Sequence, residues 1–221
     1  MSTAADRPAR RSGPRGGRPK AGAGLTPTRV ATAALSVIGS VGADQLTRAL
    51  VAEELGVSTR ALYRLAPSTD HLLAAAGAEW QERWSPPPDT GDWVGDLRLW
   101  CQQTLSHASA YPGLPAATQR LPVELLEDRT EPVVRSVIGL LERNGFDTAT
   151  AMDVFGVLSM HCLGWALVFP LGREPPVPEA ADNVPWLEEH LDFRQRGFLV
   201  GLDLLLSGIE AQRDDRGSTG T

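Results

Sequence analysis

Between Gln45 and Pro67 the apolar positions fall into two short helical registers, separated by Leu55-Gly56-Val57. Val51 and Leu55 share a face of the first, which Thr47 can cap; Leu62 and Leu65 are expected to face inward on the second, which Ser58 can cap. Gly56 supplies the residue that tolerates positive φ where the chain reverses. Two helices hinged in this way form a helix-turn-helix, whose second helix enters a DNA major groove. Upstream, Thr26 can cap and Pro27 can open a helix in which Val30, Ala33, Ala34, Val37, Ile38 and Val41 recur at helical spacing until Gly42. The pattern predicts a three-helix head over residues 25–67.

Downstream, Ser68 can cap a helix carrying Leu72, Leu73, Ala76 and Trp80 to about Trp84, and Ser85-Pro86-Pro87-Pro88 stops it. Residues 68–88 are thus a connecting helix and a proline-rich link. Trp93 to Ala108 reads as the next helix, a short one follows from Leu114, and Pro132 to Asn144 makes another that Gly145 closes. Asp147 opens a helix to about Phe169, and the last runs from about Asp192 to Ala211. Pro170 to Pro185 is a long loop of Pro, Gly and acidic residues, with a length typical of a gate or a mobile segment. No alternating stretch supports a sheet, so the fold class is all-α: a helix-turn-helix head on a larger helical body over 89–213, with a tail over 214–221.

Charge refines this division. Residues 1–65 carry ten Lys and Arg against four Asp and Glu, and residues 66–221 carry eleven against twenty-three, so a net charge of −6 conceals a basic end on an acidic body. Phosphate binding requires local, not global, positive charge. Residues 1–24 are Gly, Pro, Ala and Arg with little to bury, the composition of a disordered arm. Within it Pro14-Arg15-Gly16-Gly17-Arg18-Pro19-Lys20 is close to an AT-hook core with one extra Gly, so Arg15, Arg18 and Lys20 are candidates for the minor groove; the plainer reading is a solubilising leader.

On the second helix of the turn, Thr59, Arg60, Tyr63 and Arg64 form the outer face; with Arg48 and Ser58 they are the candidates for contact with a double-stranded DNA operator, against the plainer reading of a solvated helix face. Trp100, His107 and Trp165, mid-helix in the body, are the candidates for holding a small-molecule effector, although most body aromatics serve as core. Cys101 and Cys162 stand far apart in apolar helical patterns, as reduced thiols of a cytoplasmic protein do, and no metal or cofactor is expected. No run reaches the length that spans a bilayer. The sequence has no HExxH, GxSxG or phosphate loop, which argues against an enzyme.

The head resembles that of the tetracycline-repressor family, through Ala33-Ala34-Leu35, Gly42, Leu46-Thr47, Ala52, Leu55-Gly56-Val57-Ser58, Leu62-Tyr63 and Leu72-Leu73. The body is similar through Tyr111-Pro112, where such proteins often have His-Pro, Asn144-Gly145-Phe146 before a long helix, and Phe198 to Ile209 at the end. The resemblance implies a homodimer whose last two long helices form a four-helix interface, with Phe198, Leu202, Leu205 and Ile209 in it, and an effector that sets the spacing of two heads on a palindromic operator. It implies a repressor. One departure stands out: the family's Lys at the start of the fourth helix is Thr69 here. A helical ligand-binding or interaction module that has lost sequence-specific DNA binding is therefore the alternative.

Overall fold

The computed structural model describes residues 24–168 and 193–218, and among them every regular element is helical. The helices are α1 (Pro27–Val41), α2 (Arg48–Leu55), α3 (Thr59–Tyr63), α4 (Thr69–Glu82), α5 (Trp93–Ser109), α6 (Leu114–Thr118), α7 (Glu131–Arg143), α8 (Thr148–Val168) and α9 (Phe193–Ser218). The basic arm with Arg15, Arg18 and Lys20, and the Pro170 to Pro185 loop, lie outside the described residues.

The head follows its local signals. Thr26 Oγ1 accepts from Arg29 N, Thr47 Oγ1 from Leu50 N and Ser58 Oγ from Ala61 N, which satisfies one orphan donor at the start of each of α1, α2 and α3. Gly56 takes φ 66° and ψ 32° at the end of α2, the left-handed conformation that turns the chain into α3. Val51 and Leu62 are fully buried, but Leu65 is exposed, contrary to the inward face expected for it. Helix α3 ends at Tyr63, and the residue one turn after Leu62 is Ala66, whose N–H donates to the Leu62 carbonyl and whose side chain enters the core instead.

Helix α4 packs chiefly on α1 and brings Leu72, Ala76 and Trp80 into the same core as Leu35 and Ile38, a core that continues to Ala108, Leu114 and Ala166 of the body. Gly77 lets α4 lie against α6, since a Cβ there would stand 2.7 Å from Thr118 Cγ2. The backbone also joins the two parts: Ala43 N donates to the Pro112 carbonyl at 2.9 Å.

A second core fills the body, where α5, α7, α8 and α9 bury Trp100, Leu97, Val137, Leu141, Leu158 and Leu202. Phe198, Leu202 and Ile209, expected at a subunit interface, point into this core, and Leu205 packs at its margin. Their register is helical as expected, but the neighbours they meet are α5 and α8 of their own chain. The apolar side chains of α9 left outside are Leu199, Val200 and Leu204. On α8 the exposed set is Met152, Val157, Met160, Leu167 and Val168.

Helix α8 corrects another expectation: its 21 residues are long and apolar enough, by length and composition, to cross a membrane. Its place in the fold explains that composition, because Ala151, Val154, Leu158, Cys162 and Ala166 are buried against the rest of the chain while the opposite side is also apolar. A helix that is apolar on both sides is expected where a second surface covers it.

Candidate nucleic-acid interface and effector cleft

The outer face of the turn is built by α2 and α3 together. Arg60, Tyr63 and Arg64 are exposed, Tyr63 to 56%, and among the described residues Arg60 and Arg64 have no ion pair or hydrogen-bond partner. Thr59 is exposed beside them. Arg48 differs from the other two arginines: its Nη1 donates to the Pro67 carbonyl at 2.7 Å, and its guanidinium carbon lies 5.6 Å from the centroid of the Tyr63 ring. That side chain ties α2 to the end of α3 and holds the Tyr63 ring by cation–π attraction. Ser58 likewise uses its hydroxyl to cap α3, leaving two unpaired cations as the free charge of this face.

The three effector candidates do not come together in one cleft. Trp100 is wholly buried, its ring stacked 5.7 Å from that of Trp84, and its indole N–H has no hydrogen-bond partner. Trp165 stands edge-on to Phe198 at 6.5 Å and to His161 at 6.2 Å, between α8 and α9. His107 lines an open cleft of about 520 Å³ where the end of α4 and the proline-rich link meet α5. Its walls include Arg83, Trp84, Pro86, Leu99 and Gln103.

His107 is also the hinge pin between α4 and α5. Its ring stacks on Trp80 with centroids 5.2 Å apart, and because a carbonyl only accepts, the contact of 2.9 Å between Nε2 and the Trp80 oxygen places a hydrogen on Nε2. Burial pushes the imidazole below its ordinary value of 6.5, outweighing the Trp80 carbonyl, while the nearby Arg83 charge acts with burial. Sequence reasoning missed Arg83. Its Nε and Nη2 donate to Glu79 Oε1, the latter at 2.6 Å, and its Nη1 reaches Tyr111 Oη at 3.5 Å; donation to the Glu79 carboxylate raises its already high pKa. The i, i+4 spacing from Glu79 was the available signal.

The cysteines lie side by side across α5 and α8: Cys162 Sγ contacts the Cys101 carbonyl at 3.4 Å and both are buried as free thiols. The neighbouring Cys162 thiol and burial drive the Cys101 thiol far above its ordinary range. Among the described residues no group of three His, Cys, Asp or Glu is placed to hold a metal ion.

Comparison with known proteins adds to this geometry. Residues 31–76, which span the turn and the first half of α4, match the family described as bacterial regulatory proteins, tetR family. That match is to the head of the chain, α1 to α4. A curated relative, the HTH-type transcriptional repressor DrrR1 of Streptomyces coeruleorubidus, is 33% identical over 101 residues, 45% of this chain. The match spans only 37% of that repressor's length. Among solved structures, the Streptomyces coelicolor TetR family protein ActR in complex with actinorhodin is similar with a TM-score of 0.66 and 22% identity, over 86% of this chain and 98% of that one. BioQ with its natural double-stranded DNA operator is similar with a TM-score of 0.59 and 18% identity, over 85% of this chain and 99% of that one. These structures share the tetR fold with this chain in head and body alike.

Proposed function

We propose that the chain is a ligand-responsive, DNA-binding transcriptional regulator and not an enzyme: a cytoplasmic homodimeric repressor that leaves a palindromic operator when a small apolar or aromatic effector binds its body. The observation that carries this reading is the capped α3 with Arg60 and Arg64 exposed and unpaired on its outer face, since a guanidinium free of protein partners is available to guanine or phosphate. Thr59, Tyr63 and the α3 backbone at Ser58 supply phosphate contacts, and Arg48 positions Tyr63. Arg15, Arg18 and Lys20 of the arm (residues 1–24) follow the adjacent minor groove. The relatives support the class: one is named a repressor, one is solved with an operator and one with a small molecule.

The dimer is built from the exposed apolar sides of α8 and α9, around Met160 and Leu204, and sets two recognition helices about 34 to 36 Å apart. Head and body divide as 25–67 and 89–213, joined by 68–88, and effector binding alters the head spacing through that join. The test is gel retardation with the chain's own upstream region across a salt series. Sequence-selective, salt-sensitive retardation supports the reading; equal weak binding to any duplex supports the module without operator recognition, which Thr69 in place of a phosphate-binding Lys would favour.

A further inference from the structure

The geometry points to the cleft between α4, the proline-rich link and α5 as a site for a flat aromatic carboxylate held by Arg83. This rests on the reading of the chain as a ligand-responsive regulator and names the chemical class of the effector. The cleft's volume of about 520 Å³ lies within the range of small-molecule sites. Its lining divides as such a ligand requires: Trp84, Pro86, Pro88 and Leu99 give apolar and aromatic walls, Gln103 and Ser106 give polar side chains, and Arg83 gives the single formal charge beside a histidine that burial keeps neutral.

A guanidinium has five N–H donors. Glu79 engages Nε–H and one hydrogen of Nη2, and Tyr111 engages one of Nη1 at 3.5 Å, so one donor on each terminal nitrogen is left for the oxygens of a ligand carboxylate. A neutral apolar ligand would leave that pair without a partner.

The site is also placed to reach the head. Glu79 Oε1, on which Arg83 closes, accepts from Thr32 Oγ1 of α1 at 3.4 Å. Its side chain is only 15% exposed, so it depends on Arg83 for compensation. A second carboxylate on the same guanidinium sets two like charges across it and loosens Glu79 from Arg83, and with it the register of α4 on α1. On the far wall, Trp84 stacks on buried Trp100, so a ring inserted beside Trp84 also bears on the body core.

The experiment is calorimetric titration of the full chain with 2-naphthoate and with its neutral counterpart 2-naphthamide. Naphthoate is expected to bind, Arg83→Gln to weaken it by about tenfold while leaving naphthamide unchanged, and Glu79→Gln, which removes the competing carboxylate, to tighten it. Leu99→Trp, at a 43% exposed position on the cleft wall, fills the cleft without touching the core and is expected to abolish binding of both probes. Absence of naphthoate binding, or an equal effect of Arg83→Gln on both probes, overturns the site. The titration contains no DNA, so it decides the cleft even if operator binding fails. A chain that releases its operator with another compound yet ignores naphthoate overturns the carboxylate site and leaves the regulator reading standing.

Discussion

Trp80 and His107 hold each other by two reciprocal hydrogen bonds, the indole Nε1 donating to the His107 carbonyl at 3.4 Å and the imidazole Nε2 donating to the Trp80 carbonyl at 2.9 Å, with their rings stacked between them. This pair fastens α4 to α5, and it depends on an imidazole whose folded-state pKa is held below 6.5 by burial. On acidification the unfolded chain therefore takes up this proton first. The group's contribution is constant above pH 6.5 and stability falls as the pH drops from there toward the lower folded value. Thermal melts between about pH 7.5 and pH 5.5 are expected to show a larger loss in the native chain than in His107→Gln, which carries no titrating group at this position. Equal losses in both would separate His107 from the pH response.

Gly56 isolates a backbone effect. It sits at φ 66° with nothing within 4 Å of a Cβ built on it, so a side chain there meets only conformational strain. Gly56→Val is expected to destabilise by about 1 to 3 kcal/mol, and Gly56→Asn by distinctly less because Asn visits the left-handed region more readily. Chemical denaturation of the two variants measures the difference.

Much of the fold was legible because its signals are local. The caps at Thr26, Thr47, Ser58, Ser68 and Asp147 lie within a few residues of the donors they satisfy, and each is seen in the structure. Leu65 was misread since periodicity does not reveal that α3 stops at Tyr63. The spacing of Phe198, Leu202 and Ile209 identified an apolar helix face, but whether that face meets its own subunit or a partner depends on α5 and α8, distant in sequence. The end of α9 at Ser218, beyond the expected Ala211, lies in a polar stretch with no apolar period to mark it. Arg83 was missed for the same reason as the cleft itself: Tyr111 and His107 reach it only after the chain has passed through the proline-rich link and α5.

The arginines of the turn are expected to separate into two kinds. Arg60→Ala and Arg64→Ala remove exposed, unpaired cations, so melting should be unchanged while operator affinity falls by about 1 to 3 kcal/mol for a base contact, with relaxed specificity. Arg48→Ala removes the bond to Pro67 and the cation over Tyr63, so it should lower both head stability and affinity. Retardation assays with parallel melts distinguish them, and an Arg60→Ala chain with native operator affinity removes Arg60 from the interface.

The buried thiols allow a chemical test of the body. A thiol pushed far above its ordinary range has almost no thiolate, and neither Cys101 nor Cys162 is solvent-accessible. Ellman's reagent is expected to leave both unmodified in the native chain and to titrate both in denaturant. Rapid native reaction at either would mean that α5 and α8 part on that timescale.

Two leucines of α9 separate folding from association. Leu202 is fully buried in its own subunit, so Leu202→Ala should cost about 2 to 5 kcal/mol through lost contacts and the cavity left behind, with the dimer retained at temperatures where the chain is folded. Leu204, two residues on, is 71% exposed beside the Asp203 carboxylate that pairs with Arg98 of α5, a contact that keeps α9 seated on its own body. Leu204→Glu adds a charge to the proposed dimer face without opening the core. It should therefore leave helical content intact and shift the chain to monomer in light scattering, with loss of binding to a two-half-site operator. A Leu204→Glu chain that stays dimeric would place the contact on another surface, and the apolar outer side of α8 would then require a different cover.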